Sequence, residues 1–185
     1  PNMSSKVPVI TVVIPCTDKK EGLQECLSSV VNQDCDFLFE ILLIENNSVD
    51  RTRVSDVVAS FDCDNIKHLY LDDCKNANVA RNFGASLSQA EFVAYLDSDD
   101  LWLSNHLSQG MVFFHKTPAV FAIYSGYILN DGVNEKQVPS RAVVNDTGYE
   151  FLFGKAPGVA QTSSFIVKRE IFERVCWDEG LNRSQ

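Results

Sequence analysis

Short apolar runs alternate along the chain with segments in which apolar residues recur every three or four positions. The runs are typical of buried strands, and the spaced pattern is typical of amphipathic helices. The pattern predicts strands over 9–14, 39–44, 66–71 and 92–96. It predicts helices over 23–31, from a cap at Asp50, over 76–87 and over 104–115. This alternation indicates βαβ units with right-handed crossovers and a mostly parallel sheet.

The pattern changes after Pro118. A strand is predicted over 120–128, a turn over 130–132, a short helix over 149–153, a Gly/Pro loop over 155–158, a strand over 164–167 and a helix from Arg169. We expect a single domain over 7–185. In this division, residues 7–117 bind a nucleotide, and residues 118–185 complete the sheet and line the pocket of a second substrate.

Three carboxylates, those of Asp97, Asp99 and Asp100, follow the apolar run 92–96 directly. Ligands of parallel α/β sheets bind beyond the carboxyl ends of the strands, which is where these acids stand. Acids this close repel one another, and a hard divalent cation such as Mg²⁺ or Mn²⁺ relieves the repulsion through oxygen ligands. The alternative is that Asp99 and Asp100 only cap the next helix.

Composition narrows the class of protein and of partner. The fractions of hydrophobic residues (45%) and charged residues (22%) are those of an ordinary globular domain. A net charge of −9 offers no basic stripe, which argues against a nucleic-acid partner. The six cysteines form no CxxC pair, so we expect neither a zinc site nor a disulfide framework. We therefore expect the protein to be in a reducing compartment. The sequence contains no transmembrane run and no signal peptide.

Three predicted strand ends, at 15–18, 45–48 and 97–100, should meet at one edge of the sheet. Neither GxGxxG nor GxxxxGK[ST] occurs, so dinucleotide and P-loop chemistry are not predicted. A base and ribose could instead be held by strand-end amides and acids. A metal on Asp97 and Asp99 could then hold a diphosphate.

Five motifs, in order between about residue 8 and residue 181, resemble those of the family 2 glycosyltransferases. They lie at 10–15, 28–33, 45–50, 80–84 and 95–100. The resemblance implies the α/β GT-A fold, a three-layer α/β/α sandwich with a mostly parallel central sheet. It also implies transfer of a sugar from a nucleotide-diphosphate donor with inversion of the anomeric centre. It makes 7–117 the nucleotide-sugar half of the domain and 118–185 an incomplete acceptor-side half.

The resemblance also implies a set of nucleotide-binding residues. They are Pro15, Thr17, Glu45, Asn46, Arg81, Asp97 and Ser98. Asp97 and Asp99 match the DxD acids, Asp97 for the ribose and Asp99 as the direct ligand of Mn²⁺ or Mg²⁺. Asn46 stands where the family has an aspartate, and an amide both donates and accepts hydrogen bonds. We therefore expect loosened base selectivity, with a UDP-sugar as the first expected donor and GDP- or dTDP-sugars as alternatives.

The resemblance places the general base in an acidic motif shortly after 177–181, so the base is expected beyond Gln185. Asp178 and Glu179 precede that position and are not assigned as the base. The metal would act as a Lewis acid on the departing diphosphate, while the base takes the proton of the acceptor hydroxyl. The expected acceptor is a carbohydrate or lipid-linked sugar in cell-surface polysaccharide synthesis. The expected location is the cytoplasm, free or peripheral to the inner face of the membrane.

Two alternatives belong to other classes of protein. The first is a module that binds the donor without transferring sugar. The second is a sugar-phosphate nucleotidyltransferase, which would need a glycine-rich basic loop, whereas residues 15–21 offer only Lys19 and Lys20. We expect Trp102 and the histidines at 68, 106 and 115 to be packing or structural residues.

Overall fold

The computed structural model of the protein describes residues 7–18, 21–74, 76–140 and 160–181. The strands in these ranges are β1 Ile10–Cys16, β2 Phe39–Asn46, β3 Ile66–Leu71, β4 Phe92–Tyr95, β5 Ala122–Tyr124, β6 Tyr127–Asn130, β7 Glu135–Val138 and β8 Phe165–Lys168. The α-helices are α1 Leu23–Val31, α2 Arg51–Ala59, α3 Ala77–Leu87 and α4 His106–Lys116. Two short 3₁₀ helices cover Thr162–Ser164 and Arg169–Glu173.

The central sheet has the strand order β3-β2-β1-β4-β8-β5. The strands β1 to β4 pair in parallel, and β8 pairs antiparallel with both β4 and β5. The chain runs outward from β1 to β3 and then returns to place β4 on the other side of β1. This reversal opens a crevice at the carboxyl ends of β1 and β4, where ligands of such sheets bind.

Helices cover both faces of the sheet, which makes the domain three layers thick. On one face, α1 and α4 share one core with the sheet, in which Leu27 and Leu107 are fully buried. A Cβ at Gly110 of α4 would stand 2.5 Å from Ile166 Cδ1 of β8. On the other face, α3 lies so close to the sheet that a Cβ at Gly84 would stand 2.5 Å from Val13 Cγ1. The small residues of α3 therefore permit a close helix–sheet contact. The mixed α/β class and the mostly parallel sheet are confirmed.

The prediction of one strand over 120–128 is wrong, because the chain breaks between β5 and β6. β5 joins the central sheet, whereas β6 pairs with β7 in a separate two-stranded sheet whose turn is the predicted one at 130–132. A Cβ at Gly126 would stand 2.7 Å from the carbonyl oxygen of Val138. The glycine thus lets the chain cross close to β7 and change sheets, which periodicity alone does not reveal.

Other boundaries differ by less. The helix predicted from Arg169 is a single 3₁₀ turn, held by a hydrogen bond of 2.8 Å from its amide to the carbonyl of Glu91. The helix predicted from residue 104 begins at His106. The helix predicted over 149–153 and the loop predicted over 155–158 lie outside the described residues.

Candidate functional site

The carboxyl ends of β1, β2 and β4 lie side by side at one edge of the sheet. Cys16 is paired with Glu45 across β1 and β2, and Val13 is paired with Tyr95 across β1 and β4. The residues that follow each strand therefore face the same crevice. The acidic turn, which we define as residues 97–100, begins two residues beyond β4.

Arg81 on α3 reaches the acidic turn. Its Nη2 donates to Asp97 Oδ1 over 2.5 Å, and its Nη1 donates to Asn78 Oδ1 over 2.6 Å. The guanidinium also lies 5.2 Å from the ring centroid of Trp177, within the range of a cation–π contact. The guanidinium therefore has a fixed position, with one edge directed at the turn.

The acidic turn is held from three directions. Within the turn, the amide of Asp100 donates to the carbonyl oxygen of Asp97 over 3.0 Å. The thiol of Cys26 on α1 donates to the same oxygen over 3.6 Å. From the segment before β8, Ser163 Oγ accepts from the amide of Asp97 over 2.9 Å and donates to Asp100 Oδ2 over 2.5 Å. The backbone of the turn is thus built into the fold before any ligand binds.

The carboxylate of Glu45 at the end of β2 is buried, with only 1% of the side chain exposed. Its Oε2 lies 2.7 Å from Nε2 of His68 on β3. Its Oε1 has no hydrogen-bond partner among the described residues. An unsatisfied buried oxygen is costly, so a ligand in the crevice that hydrogen-bonds to Oε1 would stabilise Glu45.

The loops that follow β1 and β2 are tied together by Asp18. Its Oδ2 accepts from the amides of Val49 (3.0 Å) and Asp50 (2.7 Å), and its own amide donates to Ser48 Oγ over 2.9 Å. Asp50 in turn caps α2 by accepting from the amide of Thr52. These bonds fix the two loops that flank Asn46, the residue expected to read a base.

The two thiols near the site are not reactive groups. Burial raises the pKa of Cys16 well above its ordinary value, with a further contribution from the negative charge of Glu45. Burial also raises the pKa of Cys26, and the three carboxylates of the acidic turn act in the same direction. Both thiols are therefore neutral at physiological pH and behave as small buried apolar groups.

Two aromatic residues beside the turn are structural. Trp102 is 8% exposed, and its Nε1 donates to the carbonyl of Ser163 over 2.6 Å. His106 stacks on Trp102 with ring centroids 4.4 Å apart, and burial lowers its pKa to about 4. The histidine is therefore neutral at physiological pH. Packing roles for both residues, as expected from the sequence, agree with these contacts.

The segment 177–181 is fastened to α3. Asn82 pairs with the backbone of Trp177 through two hydrogen bonds of 2.8 and 2.9 Å, and Asn78 Nδ2 donates to the carbonyl of Asp178 over 2.8 Å. The side chain of Glu179 also serves this attachment, whereas that of Asp178 closes a turn within the segment. Asp178 Oδ1 accepts from the amide of Gly180, and Glu179 Oε1 accepts from Asn82.

The oxygen donors of the acidic turn are those a hard cation prefers. Within the described ranges, however, no three His, Cys, Asp or Glu side chains are clustered to hold a metal ion. Asp97 is paired with Arg81, and Asp100 with Ser163. The turn therefore fits a cation that takes one or two carboxylates and completes its shell with ligand phosphates, as Mg²⁺ does. It does not fit a cation held by protein side chains alone.

Two buried polar atoms belong to the acidic turn and to the arginine that is paired with it. Ser98 Oγ and Arg81 Nε have no hydrogen-bond partner in the part of the chain that the structure describes. Buried polar atoms in folded proteins are nearly always satisfied by protein, water or a ligand. Ser98 belongs to the acidic turn and Arg81 is paired with it, so a polar ligand at the turn is one way in which these atoms can be satisfied.

The structure brings the predicted site residues to one edge. Pro15, Thr17, Glu45, Asn46, Asp97, Ser98 and Asp99 lie in or just after the ends of β1, β2 and β4, and Arg81 joins them from α3. Contact with a nucleotide or a metal stays a prediction for each of them. Sequence reasoning missed Ser163 and the partnership of His68 with Glu45, since both depend on contacts distant in sequence.

Solved structures show that the fold is of the GT-A type. S. aureus TarS (residues 1–349) superposes with a TM-score of 0.71 and 19% identity, over 95% of this chain and 52% of that one. TarS has also been crystallised with UDP and with UDP-GlcNAc. Mannosyltransferase PcManGT from Pyrobaculum calidifontis, in complex with GDP-Man and Mn²⁺, gives a TM-score of 0.56 at 19% identity, over 65% of this chain and 36% of that one.

The sequence gives the family. The family model described as Glycosyl transferase family 2 matches residues 11–176, and the chain belongs to this family. The amylovoran biosynthesis glycosyltransferase AmsB of Erwinia amylovora is 31% identical over 183 residues, which cover 95% of this chain and 60% of AmsB. The chain thus spans only part of the length of this relative. No helix in the described ranges is long and apolar enough to cross a bilayer.

Proposed function

We propose that the protein transfers a sugar from a nucleoside-diphosphate donor to an acceptor hydroxyl, with inversion of the anomeric centre, in cell-surface polysaccharide synthesis. The observation that carries the proposal is the acidic turn at the switch point of the sheet, with Arg81 fixed against Asp97. Membership of the family and the nucleotides bound by TarS and PcManGT support it. The name of AmsB supports the polysaccharide role.

In this proposal the donor lies along the carboxyl ends of β1, β2 and β4. Pro15, Thr17 and Asn46 surround the base, and the buried Glu45 supports that end of the pocket through its contact with His68. Asp97 and Ser98 face the ribose. Arg81 places a positive charge against Asp97 of the turn, and an arginine favours an anionic group such as a diphosphate.

A divalent cation, Mn²⁺ or Mg²⁺, would be held by Asp99 with Asp97 and by the donor's phosphates. When bound, it would neutralise the charge that develops on the departing nucleoside diphosphate. The chain's own contribution is to hold the carboxylates in place before the donor arrives, through Ser163, Cys26 and Arg81. Such preorganisation lowers the cost of binding.

The acceptor in this proposal is a carbohydrate or a lipid-linked sugar, and the protein acts in the cytoplasm or at the inner face of the membrane. The general base stays a prediction based on the family motif that follows a segment like 177–181. Asp178 and Glu179 are not proposed for this role, because Glu179 Oε1 accepts from Asn82 of α3 and Asp178 Oδ1 accepts from the amide of Gly180.

Calorimetric titration with UDP, GDP and dTDP, each in Mn²⁺ and in EDTA, tests the donor half of the proposal. We expect at least one of the three nucleotides to bind in Mn²⁺ and to bind much more weakly in EDTA. Absence of binding by all three in Mn²⁺ would contradict it. A protein that binds the nucleotide but releases no nucleoside diphosphate from its sugar donor with an acceptor extract would instead be a binding module.

Incubation with a nucleoside triphosphate and a sugar 1-phosphate separates the remaining alternative. A nucleotidyltransferase would release pyrophosphate from this pair of substrates. We expect no release of pyrophosphate, because a glycosyltransferase uses a nucleotide sugar that is already formed and does not join a nucleotide to a sugar phosphate.

A further inference from the structure

The side chain of Ser163 joins the segment before β8 to the acidic turn. Its Oγ accepts from the amide of Asp97 over 2.9 Å and donates to Asp100 Oδ2 over 2.5 Å. These partners lie 66 and 63 residues away in the chain. An amide only donates and an ionised carboxylate only accepts, so the direction of both hydrogen bonds is fixed.

Ser163 holds the turn at its first and last residues. The turn itself is closed by the bond from the amide of Asp100 to the carbonyl of Asp97 over 3.0 Å. Asp99, the expected cation ligand, lies between these two residues. The position of its backbone is therefore set by a frame of which the Ser163 hydroxyl forms one side.

Ser163 is anchored in its turn. Its carbonyl accepts from Trp102 Nε1 over 2.6 Å, and Trp102 is largely buried and belongs to the core beneath α1 and α4. The backbone of Ser163 is thus tied to a core side chain, and the hydroxyl extends from this anchored backbone to the turn.

We propose that Ser163 is a positioning residue for the bound cation and diphosphate, acting through the backbone of Asp97 and the carboxylate of Asp100. This inference rests on the proposed function. Partners that hydrogen-bond to metal-ligating groups from outside orient those groups, and their loss typically costs about 10- to 100-fold in metal affinity or activity. The same range is expected here, with Ser163 acting through Asp97 and Asp100 and not as a ligand.

The neighbouring serine provides a matched control. Ser164 is buried, and its Oγ donates to the carbonyl of Gln161 over 2.6 Å, so among the described residues its hydroxyl serves the local 3₁₀ turn. Ser164→Ala removes the same oxygen from the adjacent position. Ser163→Thr keeps a hydroxyl at position 163 and tests whether that group, and not the size of the side chain, is responsible.

The first measurement is the calorimetric affinity of UDP in Mn²⁺ and in EDTA. We expect Ser163→Ala to weaken UDP binding about 10-fold or more in Mn²⁺ while changing the affinity in EDTA by less than about twofold. Ser163→Thr should stay near the wild-type value in both buffers, and so should Ser164→Ala. Equal affinities for Ser163→Ala and Ser164→Ala in Mn²⁺, or a loss in Ser163→Thr as large as that in Ser163→Ala, would overturn the proposal.

The second measurement is amide hydrogen exchange of the free protein, which requires no ligand. Ser163→Ala should speed exchange at Asp97 and Asp100 relative to wild type and to Ser164→Ala. Unchanged exchange would overturn the positioning role whatever the nucleotide affinity. If exchange speeds up but the wild-type protein binds UDP, GDP and dTDP in neither buffer, the proposed function is contradicted and the effect on the cation with it.

Discussion

Arg81 Nη2 lies 2.5 Å from Asp97 Oδ1, and this ion pair joins α3 to the acidic turn after β4. The two side chains are only 9% and 14% exposed. Charges withdrawn from water to this extent are costly unless they are paired, so each residue depends on the other for its burial. One carboxylate oxygen of Asp97 is therefore already engaged by the protein before any ligand binds.

Arg81→Ala should destabilise the fold as well as the site. The substitution leaves Asp97 partly buried without its counter-charge, and we expect the free energy of unfolding to fall by about 3 kcal/mol. Urea denaturation followed by circular dichroism measures the change. Arg81→Lys should lose part of this energy, because a lysine cannot contact Asn78 and Asp97 together through a planar fork.

A double-mutant cycle tests the pair, with Arg81→Ala and Asp97→Asn measured singly and together. If the pair is coupled, the double variant is less destabilised than the sum of the two single variants. Additive effects would show that the pair contributes no interaction energy.

His106 should make stability depend on pH. Burial lowers its folded pKa to about 4, below the ordinary value of 6.5, so the unfolded chain binds the proton more readily. The contribution of His106 to the free energy of unfolding is therefore fully present above about pH 6.5. It is lost as the pH falls toward 4, which lowers the free energy of unfolding by up to about 3 kcal/mol. We expect His106→Phe, which keeps a ring to stack on Trp102, to flatten this slope.

The control for this titration is His115→Gln. His115 is an exposed histidine on the same helix, so its replacement controls for the removal of a histidine from α4. Urea unfolding at several pH values measures all three proteins. An identical slope in wild type and His106→Phe would show that His106 does not titrate as expected.

The base selectivity of the site should depend on Asn46. Its amide both donates and accepts hydrogen bonds, whereas a carboxylate only accepts. We expect Asn46→Asp to widen the ratio of UDP to GDP affinity by several-fold, measured by calorimetry in Mn²⁺. Asn130→Asp, in the separate β6–β7 sheet, introduces the same charge and should leave the ratio unchanged. If both variants behave alike, the base is not read at Asn46.

The sequence predicts the first four strands and their helices because both faces of β1 and β2 are buried and their apolar runs are unbroken. Periodicity fails at 120–128, where the close approach of Gly126 to Val138 decides the break. The strand ends of the candidate site are predictable for the same reason as the strands. The roles of Ser163 and His68 are not, because they depend on register and on contacts between distant segments.

The role of Asp99 as a cation ligand is tested most directly by the affinity for UDP. This affinity is measured for wild type and for Asp99→Asn, each in Mn²⁺ and in EDTA. The amide keeps the size of the side chain but removes the charge, and the unfolding free energy should change little. We expect wild type to bind UDP at least about 10-fold more tightly in Mn²⁺ than in EDTA, and Asp99→Asn to lose most of this difference. Equal affinity of wild type in the two buffers, or an Asp99→Asn variant that binds in Mn²⁺ as tightly as wild type, would contradict it.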